Sequence, residues 1–380
     1  MSSGEKLVRG PVVLYEQMRV KILELIRERG LKPHDPMPSE VELAKLFGVS
    51  TRTSKEAMLH LVSEGIVYRM PRRGTFLARQ PEGVESYTDS QAVQAGTKAV
   101  GIVVPVMDEY IGQVCAAAAR ELKRLGYESL FRFTDGSVHQ EDQFIRELRE
   151  ESRLVGILLF PGNRRTCGDE VLRMHLDKFP IVVVDRLFRE LNLSSVVHHH
   201  YQGAYELTEY LIRKGHRHIG FISEEITGIM SREDRYDGYA AAHVNLGVPV
   251  QSSSVLTSPG DGQRLQETDS RDILLRYLRD NPQMTAVFCS NDYVALQLMN
   301  AALEAGITIP GELSIVGYTD FQMASLLAVP LTTVRKQGEP LGLQAALLLH
   351  ERIQHPEMPP RTLQLPTQLI ERKSVRDLTH

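Results

Sequence analysis

The sequence predicts an α/β protein with a helical head: an N-terminal winged helix-turn-helix followed by two Rossmann-like α/β subdomains. Three observations carry this. Two capped helices joined by a glycine-containing turn lie within the first 65 residues, and two short strand-like runs follow them. From residue 98 onward, apolar runs of strand length alternate with helical patterns, the mark of βαβ units and parallel sheets. The charge divides along the same line. Residues 1–80 carry 14 Lys/Arg against 9 Asp/Glu, whereas the remainder carries 30 against 39. A basic head on an acidic body points to a polyanionic partner for the head alone.

The 380 residues suit two or three domains. With 42% hydrophobic and 24% charged residues, the chain is neither disordered nor fibrous. Its apolar runs fall short of the roughly 18 residues that a membrane span needs. The opening stretch MSSGEKLVRGPVVLYEQ lacks the apolar core of a secretory signal, so a cytoplasmic protein is expected. Cys115, Cys167 and Cys289 are odd in number and far apart, which argues against a disulfide framework or a Cys-based zinc site. Each is expected as a buried free thiol.

In the head, residues 12–29 place Leu14, Met18, Ile22, Leu25 and Ile26 on one face of an amphipathic helix that Gly30 stops. After a proline-rich stretch, Ser39 and Glu42 have the spacing of a capping box, and the short helix they open ends at Gly48. Ser50 caps the next helix, which runs to Gly65 and presents Thr51, Arg52, Thr53 and Lys55 near its N-terminus. In helix-turn-helix proteins these positions enter a major groove. Ile66–Arg69 and Thr75–Ala78 are expected strands around a basic tip whose Arg72 and Arg73 suit phosphates or a minor groove.

The order LYEQ, MPSEVELA, FGVSTRT, KEAMLHLVSEGIV, RRGTF resembles the winged helix-turn-helix of the GntR family of bacterial regulators, over about 70 residues. The resemblance implies operator DNA as partner, with Ser39, Glu40, Ser50, Thr51, Arg52, Thr53, Lys55, Arg72, Arg73 and Gly74 as DNA-binding residues. Val41, Thr51 and Lys55 stand where the family often has Arg, so the family's usual operator sequence does not follow. Residues 81–97 are polar and aperiodic and read as a linker between the head, 1–80, and the body, 98–380.

The body's expected strands are Ala99–Val104, Val155–Phe160, Ile181–Val184, His218–Ile222, Ala286–Cys289 and Leu313–Val316. Expected helices include Gly112–Leu125, Tyr201–Arg213, Asp234–Leu246 and Asp292–Glu304. Ligands of open α/β sheets sit at the C-terminal strand ends. Those ends offer Asp108 and Tyr110, Asp185 and Arg186, Asn291, and Thr319 with Asp320, and Arg235 is expected at a helix start. Asp292 is expected to cap its helix and Asn291 to face the cleft. Carboxylates accepting and Arg or Asn donating suit a polyhydroxylated ligand.

The stretches GIVVP, VVVDR, YQGAYELTEYLIRKGHRHIGFI, DRYDGY, FCSNDYVALQLMNAALEAGITIPGELSIVGYTD and PLTTVR resemble the effector-binding core of the LacI family, which has the type I periplasmic-binding-protein fold. This implies one subdomain of 98–197 plus 336–358 and a second of 198–335 plus 359–375. It also implies ligand contacts at Arg235, Asn291, Asp185 and position 319, where Thr replaces the family's Asp. His199-His200 replaces an Asp-Asn pair. The combined architecture is similar to that of the arabinose repressor group. It implies a homodimeric DNA-binding repressor of carbohydrate-utilisation genes whose operator binding responds to a small sugar or sugar derivative. The missing Asp at 319 puts sugar acids and phosphorylated sugars on a par with neutral sugars.

His198-His199-His200, read as a strand, puts two imidazoles on one face, and no further ligands complete a metal site. No Walker loop, dinucleotide glycine motif, HExxH or nucleophile elbow is present, so neither an enzyme nor a cofactor is expected. The alternative is a sugar-binding protein without a DNA-regulatory role. Deleting residues 1–80 separates the two, because only a regulator would lose its output.

Overall fold

The computed structural model describes residues 18–19, 21–23, 25–26, 29–63, 66–70, 74–78, 97–162, 166–257 and 270–379. Leu14, Gly65, Arg72, Arg73 and nearly all of the expected linker lie outside these. The chain divides into two units, Met1–Ala95 and Gly96–His380, close to the expected head and body.

The first unit contains α1 (Glu40–Phe47), α2 (Thr51–Ser63), β1 (Val67–Met70) and β2 (Gly74–Leu77). The capping box forms as its spacing predicts: Ser39 Oγ accepts from the Glu42 amide, and the Glu42 carboxylate accepts from the Ser39 amide at 2.8 Å. Gly48 leaves α1 in the left-handed conformation at φ 69°. Ser50 Oγ then accepts from the Thr53 amide at 3.1 Å and opens α2. The described residues from 18 to 26 are helical. Met18, Ile22, Leu25 and Ile26 pack with Leu43, Phe47, Met58, Leu61 and Leu77 in one core. β1 and β2 pair antiparallel, Val67 opposite Leu77 and Met70 opposite Gly74.

The second unit runs β3 (Ala99–Val104), α3 (Glu109–Arg124), β4 (Glu128–Phe133), α4 (Val138–Glu150), β5 (Leu154–Leu159), α5 (Asp169–Leu176), β6 (Ile181–Val184) and β7 (Ser194–His198). It continues with α6 (His200–Arg213), β8 (Ile219–Ser223), α7 (Met230–Asn245), β9 (Val255–Thr257), α8 (Arg271–Asp280), β10 (Ala286–Cys289) and α9 (Asp292–Glu304). It closes with β11 (Ser314–Val316), α10 (Gln322–Leu326), β12 (Thr333–Arg335), α11 (Gly338–Gln354), β13 (Thr362–Leu365) and β14 (Gln368–Ile370).

One sheet has the order β13-β7-β6-β5-β3-β4 and the other β11-β10-β8-β9, with parallel pairing throughout. Helices cover both faces, so central strands such as β3 and β6 are buried along their whole length. β12 and β14 form a separate antiparallel pair. The chain leaves the first sheet after β7, builds the second from β8 to β11, and returns to the first through β13, with β12 and β14 on either side of that return. Two glycines allow close helix contacts. A Cβ on Gly342 of α11 would lie 2.1 Å from the Val114 carbonyl oxygen of α3. One on Gly238 of α7 would lie 2.2 Å from that of Tyr201 in α6.

Several expectations are corrected. The segment 359–375 does not belong wholly to the second subdomain, because β13 extends the first sheet beside β7. Its half-exposed TLQL edge lacks the apolar run that marks the inner strands. The histidine triplet is not one strand: β7 ends at His198, His199 caps α6, and His200 is its first residue. α7 starts four residues earlier than expected, so Arg235 lies in its second turn. Cys115 and Cys289 are buried, but Cys167 is half-buried. Among the described residues, no helix is long and apolar enough to cross a membrane.

Candidate nucleic-acid interface and effector site

On α2, Thr51, Arg52 and Lys55 are exposed and Ser54 faces inward. Ser54 is fully buried, and its Oγ donates to the Glu40 carbonyl at 2.7 Å, fastening α2 to the start of α1. Four other expected DNA-binding residues have local partners. Ser39 sits in the capping box, Ser50 and Thr53 bond through their hydroxyls at 2.8 Å, and the Glu40 carboxylate pairs with Arg69. The fold thus presents a cationic face of Arg52 and Lys55 with Thr51, which suits base edges and phosphates. Gly74 is exposed at the start of β2 with φ 105°, a conformation that favours glycine.

The second unit brings Tyr110, Asp185 and Arg235 together with His198 and His200 of the histidine triplet and with Lys336, which the sequence reading passed over. The Tyr110 hydroxyl donates to Asp185 Oδ1 at 2.6 Å. Lys336 Nζ lies 3.4 Å from the same oxygen and 3.6 Å from the centre of the Tyr110 ring. The Gln337 amide donates to His198 Nε2 at 3.2 Å. This assigns the proton of a neutral imidazole to Nδ1, which donates to the Tyr110 hydroxyl at 3.3 Å. A directed chain therefore runs from His198 through Tyr110 to the Asp185 carboxylate.

The electrostatics agree with that direction. Burial lowers the His198 pKa and keeps the ring neutral. Burial and then the Asp185 charge hold the Tyr110 hydroxyl protonated. Burial pushes the Asp185 carboxyl up, but the Lys336 charge and the nearby His198 imidazole outweigh it, so the group lies well below its ordinary range. Asp185 holds this position at φ 66°, a strained value for a non-glycine residue.

Arg235 is 8% exposed. Its Nε donates to the Ser231 carbonyl at 2.8 Å, its Nη1 to the Ser290 carbonyl, and its guanidinium lies 4.9 Å from the centre of the Tyr318 ring. His200 is 1% exposed between His198 and Tyr318, with ring centroids 6.1 and 6.0 Å away, and among the described residues neither of its ring nitrogens has a hydrogen-bond partner. Burial, then the Arg235 charge, drives its pKa well down. Leaving a buried donor and acceptor unpaired costs about 1–3 kcal/mol each.

The remaining expected residues have other surroundings. Asp108 caps α3 by accepting from the Ile111 amide at 2.7 Å. Arg186 is half-buried and donates to the carbonyls of Pro161 and Gly162. The expected cap is corrected: Asn291, not Asp292, caps the helix. Asn291 Oδ1 caps α9 by accepting from the Val294 amide at 2.9 Å. Asp292 is fully buried and accepts from the Phe321 amide and the Thr333 hydroxyl. The N-cap takes the residue whose extended backbone precedes the helix, and that is Asn291. Asp320 has both oxygens engaged, by Arg335 at 2.7 Å and Arg372 at 2.6 Å, so it does not replace a carboxylate at position 319. Thr319, at φ 120°, donates its amide to the Val334 carbonyl at 2.7 Å. It lines a cavity of about 670 Å³ with Tyr110, Asp320, Arg335 and Lys336. Lys336 directly follows the PLTTVR stretch, but a lone lysine after a strand carries no signal of its own.

Polar ties bridge the subdomains. Arg189, beyond β6, lies 3.2 Å from Asp234 of α7, and the Gln322 amide donates to Glu109 of α3 at 2.8 Å.

Residues 14–77 match the model for bacterial regulatory proteins of the gntR family, and residues 208–375 match that for a periplasmic binding protein-like domain. The chain is 30% identical to the arabinose metabolism transcriptional repressor of Geobacillus stearothermophilus, over 90% of this chain and 91% of that one. It is 27% identical to the HTH-type transcriptional repressor PurR of Mannheimia succiniciproducens, over 89% and 98%. Among solved structures, it resembles a periplasmic binding protein/LacI transcriptional regulator from Alkaliphilus metalliredigens complexed with D-xylulofuranose. The TM-score is 0.61 at 22% identity, covering 73% of this chain and 99% of that one. The two matched parts are thus both spanned by the similarity to a relative named as a transcriptional repressor. The chain belongs to the DNA-binding transcriptional repressors that join a gntR-family head to a periplasmic binding protein-like domain.

Proposed function

We propose that the chain represses carbohydrate-utilisation genes and that a small sugar-like effector, held at the C-terminal strand ends of the body, modulates its operator binding. The single observation that carries this is the buried polar cluster of Asp185, Tyr110, Lys336, Arg235 and His200, which joins both subdomains. Such a cluster costs stability unless a ligand uses it. The chain acts in the cytoplasm as a homodimer, each head placing Arg52 and Lys55 in one half of a two-fold operator. Effector and operator change each other's affinity by the same factor.

A mobility-shift titration on operator DNA, with and without a panel of sugars, tests the proposal. At least one sugar should change the apparent operator affinity several-fold. A panel-wide absence of response would defeat it. Removing residues 1–80 should abolish DNA binding and leave ligand binding; intact regulation without the head would favour a plain binding protein.

A further inference from the structure

We infer that Arg189 is a latch between the subdomains: its guanidinium, carried by the first, holds Glu233 and Asp234 of the second and sets how far the body is closed before an effector binds. The latch stands on the geometry of the body; its consequence for DNA rests on the proposed coupling between body and operator.

The arginine is carried on an anchored base. It lies in the loop between β6 and β7, both strands of the first sheet. Before it, Phe188 is buried in the core of that subdomain. After it, the Glu190 carboxylate accepts from the Cys167 amide at 2.6 Å. A loop held on both sides presents the long Arg189 side chain with little further loss of chain freedom.

Two carboxylates meet it from α7. Arg189 Nη2 lies 3.2 Å from Asp234 Oδ1 and 3.4 Å from Glu233 Oε2. Glu233 is itself fixed, because its other oxygen accepts from the Gly228 amide at 2.7 Å. The two acids are more sheltered than the arginine, at 29% exposed against 61%, so the contact is screened less than a pair of freely exposed charges. Burial pushes the Asp234 carboxyl up, the Arg189 charge opposes it, and Asp237 and Glu233 add to the push. Arg235, on the same helix, also favours the ionised Asp234, but its hydrogen bonds go to Ser231 and Ser290. Arg189 therefore relieves a crowd of negative charge on the opposite subdomain. If the subdomains part there, Glu233, Asp234 and Asp237 lose that cation and repel one another, so the contact favours the closed arrangement.

Paired spin labels on the full chain test the latch. Leu176→Cys and Val244→Cys, at two well-exposed positions, put one label on each subdomain, and Cys167→Ser removes the half-buried thiol. Dilution with unlabelled chain restricts the reading to distances within one chain. With no sugar added, Arg189→Glu should raise the more widely separated population about threefold or more. Adding Asp234→Arg should restore most of the wild-type distribution, because the charges are then exchanged and not merely opposed. Raising the salt should move the wild type towards Arg189→Glu. If Arg189→Glu does not fold, Arg189→Gln and the salt series give the same reading. An unchanged distance, or an exchanged pair that fails to restore it, overturns the latch. On operator DNA, again without sugar, Arg189→Glu should shift the apparent affinity about threefold or more, and the exchanged pair should restore it. A widened body with unchanged operator affinity leaves the latch standing and overturns the coupling.

Discussion

The Tyr110 hydroxyl donates to Asp185 Oδ1 at 2.6 Å, tying the first turn of α3 to the end of β6. The pair places a protonated phenol against an ionised carboxylate. Tyr110→Phe should lower stability by about 1.5–3 kcal/mol, the range for a hydrogen bond to a charged group. Asp185 has a depressed pKa, so its contribution is present above its ordinary 3.8 and is lost as pH falls below that value. Urea unfolding from pH 7 down to pH 3 should therefore show a shallower acid loss in the variant. An unchanged acid limb would remove Tyr110 from the network.

Asp292 works in the opposite sense. Burial raises its pKa to about 6, so its contribution is fully present below 3.8 and is lost as pH rises through about 6. Asp292→Asn, which cannot ionise, should be about as stable as the wild type at low pH, because the protonated carboxyl and the amide each offer a carbonyl oxygen to the Phe321 amide and a hydrogen to the Thr333 hydroxyl. Its stability should fall less than the wild type's between pH 4 and pH 6.5. Parallel profiles over that window would contradict the assignment.

His200→Phe removes two unpaired buried nitrogens and roughly keeps the ring's shape. Without effector, the variant should melt no lower than wild type, while effector-induced stabilisation is lost. A variant that melts several degrees lower but keeps its ligand shift would make His200 a structural residue.

Arg52→Ala should weaken specific operator binding by about 1–3 kcal/mol and relax specificity at one base pair. Lys55→Ala should weaken binding to all sequences alike and flatten the salt slope by about one unit. Equal losses on operator and random DNA for Arg52→Ala would exclude it from base reading.

Local chemistry made the head legible before any coordinates. The Ser39–Glu42 capping box, the Gly48 turn and the Ser50 cap are satisfied within a few residues, so spacing alone specifies them. The same holds for the inner strands β3, β6 and β10, where burial on both faces demands unbroken apolar runs. Edge strands such as β4 and β13 are not buried on both faces, and their mixed sequences conceal them.

The sequence by itself determined the division into a basic head and an acidic body, the pair of capped helices in the head, and Asp185 as a residue at a strand end. Only the tertiary structure decided what surrounds them. Lys336 reaches Asp185 from 151 residues away, and His198 and Tyr110 meet across 88. It also decided that Asn291 caps while Asp292 is buried, and that two arginines occupy Asp320. Caps and apolar periodicity are short-range and leave a trace in the chain. Charge compensation in a buried site depends on which distant strand ends the sheet order brings together, and no local pattern records that.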